Sequence, residues 1–433
     1  MAIKNGDKLR LLNGNIVTVK SRIGEGGQGT VYLVSVDGKD YALKWYLPGY
    51  LKGLKPNCKQ FYQNLVDNVA GGTPSVAFLW PQAVVTTGQK KSESFGYIME
   101  LRPKRYEEFT KFIKAKARFS STKAVITAAI NVVEAFQSLH ARGLSYQDLN
   151  PGNFFINKDT GDVLVCDNDN VAPDKKNLGV GGTPGYMAPE VILGTAKPST
   201  DTDLFSLSVI LFEMFFLSHP LDGANCCKYP CLTQKIEKDL YAEHPVFVMD
   251  KSGVNAPVKG VHSNLIKLWP LFPDVLHNAF YSTFGEGMKD GRKRLSEREW
   301  KKVLYSLSDE ALPCPKCGEY NFATMAKGGT LVCDCGRRYP VTYKASVNGF
   351  DIYAAVDRKV TEFHLSYGSR ETVVASFIES KKNPGVFGLK NDSAAIWSVE
   401  YPGKPAATYE PGKVVTVIPG TVITIGNKKI ELS

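Results

Sequence analysis

A glycine-rich loop between two strand-like segments constrains this chain more than any other feature. Its glycines are Gly24, Gly26 and Gly29, and Lys44 follows 15 residues after the last of them. Glycines at this spacing let backbone N–H groups approach phosphate oxygens, because no side chain intervenes. Glycines also serve ordinary turns, so the loop alone is a weak signal, and the lysine strengthens it. Residues 10–47 alternate in the manner of strands, which predicts an antiparallel lobe that carries this loop.

A second group of motifs follows in a fixed order. An Asp-x-x-x-x-Asn loop runs from Asp148 to Asn153, Asp167 follows it, and an Ala-Pro-Glu triplet ends at Glu190. Each motif alone recurs in unrelated proteins, whereas the ordered set is specific. Together with the glycine-rich loop, it resembles the eukaryotic-type protein kinases, over roughly residues 10 to 308.

The resemblance implies a Mg-ATP-dependent transfer of phosphate to a protein hydroxyl. Lys44 would hold the α and β phosphates, Asp148 would be the catalytic base, and Asn153 and Asp167 would bind Mg²⁺ or Mn²⁺. The ATP-binding residues that it implies are Gly24, Gly26, Gly29, Val31, Ala42, Lys44, Met99, Glu100, Leu101 and Phe155.

The resemblance also implies a segment that presents the substrate protein. Thr183 matches a threonine that contacts the catalytic aspartate in serine/threonine kinases, and Glu190 matches a glutamate that pairs with an arginine from a late helix. Arg294 is the candidate for that arginine. Asp203 matches a buried aspartate that braces the catalytic loop.

One family residue has no counterpart in this sequence. In the family, a glutamate from a helix fixes the phosphate-binding lysine, and its position here falls near Asn64. No glutamate occurs between residues 26 and 92. Asp67, one turn further along, is an alternative partner for Lys44. Either the ion pair is absent or another residue supplies it.

The catalytic and metal motifs also depart from the family. Gln147 replaces the arginine that grips a phosphorylated loop, and Asn150 replaces a lysine that touches the γ-phosphate. Asn168 and Asp169 replace the Phe-Gly of the metal motif, where Asp169 either adds a carboxylate near the metal or simply marks a turn. These departures keep two other functions open. One is a nucleotide-binding pseudokinase that acts as a scaffold, and the other is transfer of AMP.

A cysteine-rich module begins after Pro313. A Cys-x-x-Cys pair and a Cys-x-Cys pair are separated by 15 residues. Four thiolates at this spacing suit one tetrahedral Zn²⁺ with no open position, which indicates a structural site. The predicted ligands are Cys314, Cys317, Cys333 and Cys335.

The last 90 or so residues are predicted to form strands separated by Pro-Gly turns. The predicted strands are 352–356, 373–378, 414–418 and 422–425. Residues 388–393, Trp397 and 419–423 resemble the second half of a forkhead-associated (FHA) sandwich. That family binds phosphothreonine through an arginine and a serine, and Arg358 and Arg370 are the candidates for the arginine here. The alternative is a degenerate module that docks a partner or the kinase itself.

The predicted fold class is therefore multidomain. An α+β bilobal protein-kinase-like fold over 1–310 has a small lobe at about 10–101 and a large lobe at about 102–310. A zinc ribbon follows over 311–342, and an all-β FHA-like sandwich over 343–433. The predicted helices lie at 57–70, 122–142, 201–217, 232–242, 263–288 and 296–307.

The combination of modules is similar to bacterial kinases of tellurite-resistance-type gene clusters. That resemblance implies a von Willebrand A-domain protein and a PP2C-type phosphatase as partners, besides a protein substrate. The N-terminus has no apolar signal segment, so we expect a cytoplasmic protein with no membrane partner. The net charge of +10 is spread along the chain, and no nucleic-acid partner is expected.

Overall fold

The computed structural model describes residues 3–87, 94–179, 181–341, 343–356 and 358–433. The described residues fall into two units. The first lies within Met1–Ser120, Thr127–Trp269 and Ala279–Lys301, and the second within Ser121–Ile126, Pro270–Asn278 and Lys302–Ser433. None of the helices in the described residues is long and apolar enough to cross a membrane.

The first unit begins with a closed antiparallel barrel in the strand order β1-β2-β3-β4-β6-β5. In β1 alternate residues are buried, as the sequence pattern predicts, whereas every residue of β6 and the last five residues of β4 are buried. In the register of the barrel, Val31 lies opposite Lys44, Ala42 lies opposite Met99, and Lys44 lies opposite Tyr97. The strands are β1 (Lys8–Leu11), β2 (Ile16–Glu25), β3 (Gly29–Val36), β4 (Lys39–Tyr46), β5 (Ala83–Thr86) and β6 (Phe95–Met99).

Two helices follow β4, namely α1 (Pro48–Gly53) and α2 (Cys58–Gly71). The predicted helix over 57–70 is confirmed, and it ends where Gly72 adopts a φ of 67°, a conformation that glycine tolerates without steric cost. Phe61 and Leu65 are fully buried in a cluster that includes Tyr46 and Phe95 of the barrel. The helix is therefore held against the sheet by its apolar face.

A mostly helical region follows the barrel along the chain. The predicted helices at 122–142, 201–217 and 296–307 are confirmed as α4, α6 and α11. α6 is buried on nearly all sides and begins with a capping box formed by Ser199 and Thr202. The helices are α3 (Phe109–Ile113), α4 (Thr122–His140), α5 (Pro189–Ile192), α6 (Thr200–Phe216), α7 (Gln234–Lys238), α8 (Ser263–Leu268), α9 (Asp274–Tyr281), α10 (Gly287–Lys289) and α11 (Glu297–Glu310).

Short strands position the loops of this region. β7 (Glu107–Glu108), β9 (Phe154–Ile156) and β10 (Val163–Val165) form one sheet, and β8 (Leu144–Ser145) pairs with β11 (Ala172–Pro173). Residues 148–153 therefore lie between β8 and β9, and residues 167–170 lie between β10 and β11. Because each loop is flanked by two strands, the strands fix the positions of the loop backbones.

The prediction of continuous helix over 263–288 is wrong. The chain forms α8, a 3₁₀ turn over Trp269–Leu271, α9, a π turn over Ser282–Glu286, and then α10. Pro270 and Pro273 explain the interruption, because proline lacks the N–H group that continues a helix. The helix predicted at 232–242 likewise divides into α7 and a π turn over Asp239–Glu243.

The second unit contains two small hairpins and two larger antiparallel sheets, in the orders β17-β16-β25-β24-β21-β22 and β18-β19-β20-β23. Trp397 of the first sheet and Leu389 of the second sheet are fully buried. The strands are β12 (Ala311–Pro313), β13 (Tyr320–Phe322), β14 (Thr330–Val332), β15 (Arg338–Pro340), β16 (Lys344–Val347), β17 (Phe350–Tyr353), β18 (Lys359–Thr361), β19 (Val373–Glu379), β20 (Phe387–Asn391), β21 (Trp397–Glu400), β22 (Ala407–Tyr409), β23 (Val414–Thr416), β24 (Val422–Ile425) and β25 (Lys428–Leu432).

The predicted strands at 373–378 and 422–425 are confirmed as β19 and β24. The strand predicted at 352–356 begins earlier, as β17, because Asn348 and Gly349 form the turn that precedes it at positive φ. The strand predicted at 414–418 ends at Thr416. Helix α12 (Glu362–Ser366) was not predicted.

Candidate active site

Lys44 lies at the centre of a dense polar cluster in the first unit. Its ammonium group lies 3.0 and 3.1 Å from the two carboxylate oxygens of Asp169, and 3.3 Å from an oxygen of Asp167. It also donates a hydrogen bond of 2.7 Å to Oε1 of Gln28, in the glycine-rich loop. The structure therefore brings the predicted phosphate anchor next to the predicted metal ligand Asp167.

Lys44 remains charged although its side chain is almost completely buried. Burial alone would lower its pKa, but the carboxylates of Asp169 and Asp167 outweigh that effect and raise the pKa above its usual range. Asp167 adopts a left-handed backbone conformation with a φ of 54°, and about a third of its side chain is exposed. Its carboxylate thus remains accessible to a cation from solvent.

Helix α2 supplies no acid to Lys44. Asn64 and Asn68 are buried, and both side chains donate hydrogen bonds to the carbonyl of Val171, at 2.7 and 2.9 Å. Asp67 is exposed and accepts a hydrogen bond from Gln63 in the preceding turn of the helix. The hypothesis that Asp67 replaces the family glutamate is therefore wrong, since the side chain lies on the outer face of α2.

The sequence left Asp169 open between a carboxylate near the metal and a turn marker, and it did not identify Asp169 as the partner of Lys44. The interpretation of Asp169 as a mere turn marker is wrong, because its fully buried carboxylate pairs with Lys44. It also accepts hydrogen bonds from the hydroxyl groups of Tyr46 and Tyr97, at 2.7 and 2.8 Å. The signal was present in two places, as an acid missing from the helix and an extra acid in the metal motif.

Asn168 fills its buried position by polar contacts. Its amide donates hydrogen bonds of 2.9 Å to the carbonyls of Leu79 and Val165. The side chain is fully buried. An asparagine thus takes a place where the family has an apolar ring, and it ties the metal motif to two neighbouring segments.

The loop around Asp148 is ordered by hydrogen bonds. The backbone N–H and the hydroxyl of Thr183 donate to Oδ1 of Asp148, at 3.0 and 2.8 Å. The side chain of Asn153 donates to the carbonyl of Asp148 at 2.9 Å, and the carbonyl of Asn153 accepts from the N–H of Cys166. The last contact brings the catalytic loop next to the residue that precedes Asp167.

Burial raises the pKa of the Asp148 carboxyl above its usual range. The hydrogen bonds from Thr183 and Asn150 oppose that effect, and the nearby charge of Asp167 adds to it. A carboxylate with a raised pKa is a better proton acceptor at neutral pH than an exposed aspartate. The environment therefore suits a general base.

Two other residues, Asp203 and Gln147, stabilise this loop by hydrogen bonds. Asp203 accepts hydrogen bonds from the backbone N–H groups of Tyr146 and Gln147, as the resemblance implies, and it contacts His140 at 3.1 Å. Gln147, which has a φ of 71°, donates to the carbonyl of Lys176 at 2.7 Å. The side chain of Gln147 thus holds the segment after the metal motif directly, by a hydrogen bond to the backbone of that segment.

We expect Thr183→Val to shift the acid limb of any activity that depends on Asp148. The change removes a hydrogen bond that favours the ionised carboxylate, so the pKa of Asp148 rises further and the group protonates at a higher pH. We predict a rate about tenfold lower at pH 6, and a smaller loss at pH 8, in a profile of kcat/KM against pH. Thr73→Val removes an exposed hydroxyl and serves as the control. Equal losses at both pH values would contradict this role.

The segment around Glu190 is anchored by an ion pair. Arg294 donates two hydrogen bonds to the carboxylate of Glu190, at 2.6 and 2.8 Å. The guanidinium is almost fully buried. The bidentate pair joins the two residues that the family resemblance predicts to pair. Nearby, Tyr186 donates to Glu213 at 2.8 Å.

Glu213 predicts a measurable dependence of stability on pH. Burial raises the pKa of its carboxyl from 4.5 to about 7. The folded state then holds the proton more tightly than the unfolded state, so the free energy of unfolding should fall as pH rises from 4.5 to 7. We compare the free energy of unfolding of Glu213→Gln with that of the unmodified protein. We expect this difference to change in favour of the variant by about 2 kcal/mol between pH 5 and pH 8. Denaturant titrations at both pH values measure it, and an unchanged difference would contradict it.

The structure brings together four of the other predicted ATP-binding residues and leaves two apart. Val31, Ala42 and Met99 pack in one apolar cluster, with Leu101 at its edge. Glu100 is exposed and pairs with Lys39 at 3.2 Å. Phe155 lies under the guanidinium of Arg102, 4.3 Å from the ring centroid, which covers one face of that ring.

The glycines of the loop differ in what they require. A Cβ atom added at Gly29 would lie 2.6 Å from the carbonyl oxygen of Trp45, so only glycine fits there. A Cβ at Gly26 would meet nothing within 4 Å, and one at Gly24 would touch Val31 at 3.7 Å. The space at Gly24 and Gly26 is therefore left open by the protein itself.

Four cysteines converge in the second unit. Cys314 and Cys317 lie between β12 and β13, and Cys333 and Cys335 lie between β14 and β15. The four sulfur atoms all lie within 4.8 Å of one another. The distances are 3.7 Å from Cys314 to Cys335 and 3.6 Å from Cys317 to Cys333. Each hairpin thus delivers two thiols to one point.

Comparisons with known proteins agree with this geometry. The model of the protein kinase domain family matches residues 17–246, more than half of the chain. The chain is 27% identical to rat protein kinase C delta type over 60% of this chain and 39% of the relative. For the mouse protein of the same name, the identity is 28% over 68% and 46%.

A third relative comes from Drosophila melanogaster, the cGMP-dependent protein kinase, isozyme 2 forms cD5/T2. It is 29% identical over 51% of this chain and 23% of the relative. The chain spans less than half the length of each of these three relatives. The family match includes the glycine-rich loop, the catalytic loop and the metal motif described above. The chain therefore belongs to the protein kinase family.

Proposed function

We propose that this protein is an active serine/threonine kinase that transfers the γ-phosphate of Mg-ATP to a protein hydroxyl, with itself among the acceptors. One observation carries the proposal. Lys44 and Asp167 lie 3.3 Å apart, and Asn153 links the Asp148 loop to the metal motif through the N–H of Cys166. These contacts support a site in which Lys44, Asp148, Asn153 and Asp167 act together in phosphoryl transfer.

The roles of these residues follow from their contacts. Asp148 would accept the proton of the substrate hydroxyl, and Thr183 would hold its carboxylate in place. Asp167 and Asn153 present oxygens that suit Mg²⁺ or Mn²⁺, since hard cations prefer oxygen ligands. The metal would neutralise charge on the phosphates. Lys44 would contact the α and β phosphates, and the open space at Gly24 and Gly26 would admit phosphate oxygens to the backbone.

The pseudokinase alternative rests on Asn64, Gln147, Asn150 and Asn168. In the structure, Gln147 and Asn168 each donate hydrogen bonds to backbone carbonyls. Their presence in place of the family's arginine and phenylalanine is therefore compatible with an ordered site. Asn150 donates to Asp148 and accepts from Gly152, which shapes the loop but adds no cation. These contacts favour an active enzyme, at a rate reduced by the missing charge.

Transfer of radiolabelled γ-phosphate tests the proposal. We expect label on the intact protein or on a generic acceptor with Mg²⁺ or Mn²⁺, and its loss in Asp167→Ala. Asp159→Ala, which removes an exposed carboxylate paired with Lys158, serves as the control. Absence of label, with ATP still raising the melting temperature, would support the scaffold instead.

We further propose that the four cysteines bind a structural Zn²⁺, in the manner of a zinc ribbon. A zinc ion at ~2.3 Å from four thiolates places the sulfur atoms roughly 3.8 Å apart at the corners of a tetrahedron. The observed separations of 3.7 and 3.6 Å fit that geometry. Two hairpins held at one point would then be fixed without a large apolar core.

The C-terminal sheets are proposed to form an FHA-like docking module. Arg358 is not available to read a phosphate, because it donates both terminal nitrogens to the carbonyls of Ser308 and Ala311, at 2.6 and 2.5 Å. Arg370 stays the other candidate for phosphothreonine recognition, and we favour docking of a protein partner. A von Willebrand A-domain protein and a PP2C-type phosphatase remain the proposed partners, with a protein as substrate and the cytoplasm as the setting.

A further inference from the structure

We propose that Asp169 is the positioning residue of Lys44 and takes the place of the helix glutamate. The phosphate anchor is then tied to the metal motif rather than to helix α2. This deepens the proposed function and rests on it, since it assigns the residue that orients the lysine for phosphate binding.

The strands of the barrel build the site for the Asp169 carboxylate. Lys44 and Tyr46 are two residues apart on β4, so their side chains point to the same face of the sheet. Tyr97 lies directly opposite Lys44 on β6. All three side chains are buried, and all three donate to Asp169, whose own side chain is fully buried. A buried carboxylate with one cation and two hydroxyl donors is a fully satisfied ion-pair site.

The other groups near Lys44 cannot take this role. Gln28 is neutral, so it accepts a hydrogen bond from Lys44 but supplies no negative charge to it. Asp167 makes one contact at 3.3 Å and is partly exposed, and in the proposed function its oxygens are needed for the metal. Asp169 makes two contacts with Lys44 and is shielded from solvent, so it remains the lysine's partner when the metal binds.

The contacts of helix α2 support the same assignment. Asn64 and Asn68 hold the carbonyl of Val171, two residues beyond Asp169. The helix therefore supports the metal-motif segment through neutral amides and leaves the charge of Lys44 to that segment. Outward movement of α2 alone would not break the ion pair, whereas displacement of residues 167–170 would break it.

Three variants test this inference in the full-length protein. Asp169→Asn removes the charge and keeps the shape. Tyr46→Phe combined with Tyr97→Phe disturbs the same buried cluster but keeps the ion pair. Asp67→Asn removes the acid nearest to the family position on α2. We expect kcat/KM for ATP to fall about 100-fold in Asp169→Asn, less than tenfold in the double variant, and less than twofold in Asp67→Asn.

A second readout follows Lys44 itself. An acyl-phosphate derivative of ATP transfers its acyl group to a nearby unprotonated lysine amine, and mass spectrometry measures the rate at Lys44. Asp169→Asn weakens the two contacts that hold this amine, so the placement of the amine against the bound nucleotide should change. We expect a changed acylation rate in Asp169→Asn and an unchanged rate in the double tyrosine variant.

The two readouts separate this inference from the proposed function. Should the unmodified protein transfer no phosphate, the kinase proposal fails, while the acylation rates still report whether Asp169 holds Lys44. Asp169→Asn with activity within threefold of the unmodified protein and an unchanged acylation rate would overturn the inference. So would a double tyrosine variant as impaired as Asp169→Asn, because the effect would then be structural.

Discussion

Asp148→Asn is expected to lower γ-phosphate transfer by about 10³-fold, within the range that general-base catalysis contributes. The substitution keeps an oxygen that can accept the hydrogen bonds from Thr183, so the loop should retain its geometry. What it removes is the basic carboxylate, whose pKa is raised by burial. Single-turnover kinetics with saturating Mg-ATP measure the chemical step directly.

The control for this prediction is Asp159→Asn, at an exposed carboxylate eleven residues along the chain that pairs with Lys158. We expect it to leave the rate within twofold. Thermal melts in the presence of ADP check that Asp148→Asn still folds and binds nucleotide. A loss of less than tenfold in Asp148→Asn would mean that another group accepts the proton, and would contradict the assigned role.

Removal of zinc is expected to have the largest effect on folding. Structural zinc sites contribute about 10 kcal/mol or more of binding free energy, and this energy is coupled to folding of the module. We expect one zinc per chain by elemental analysis. We also expect that Cys317→Ser combined with Cys335→Ser abolishes zinc binding and makes residues 311–342 sensitive to protease.

The matched control is Cys227→Ser combined with Cys231→Ser, which changes two exposed cysteines outside the cluster. That variant should keep its zinc and its resistance to protease. Cysteine thiols must be deprotonated to bind zinc, so zinc should also be released as pH falls. A purified chain that holds no zinc, and whose melting is unaffected by chelator, would contradict the zinc site.

The sequence was informative where function depends on short, ordered motifs. The glycine-rich loop, Lys44, and the Asp148 and Asp167 motifs could be found because their spacing is local. The pair of Glu190 and Arg294 was also found, since each belongs to a motif of its own. The four cysteines converge as their spacing predicted.

The partner of Lys44 could not be found in this way. Asp169 lies 125 residues further along the chain, and only the barrel register shows that Lys44, Tyr46 and Tyr97 face the same carboxylate. Local propensity also failed at Pro270 and Pro273, which interrupt an otherwise helical pattern. In the C-terminal sheets, half-exposed strands such as β20 and β21 carry too few apolar residues to stand out from their turns.

Parallel incubations with γ-labelled and α-labelled ATP distinguish phosphate transfer from AMP transfer and from a scaffold, with the intact protein and Asp148→Asn side by side. For an active kinase we predict label from γ-phosphate on serine or threonine, no label from α-phosphate, and loss of the γ-label in the variant. Label from α-phosphate would show AMP transfer. No label of either kind, with ATP binding retained, would show a nucleotide-binding scaffold, and either result would contradict the assignment as an active kinase.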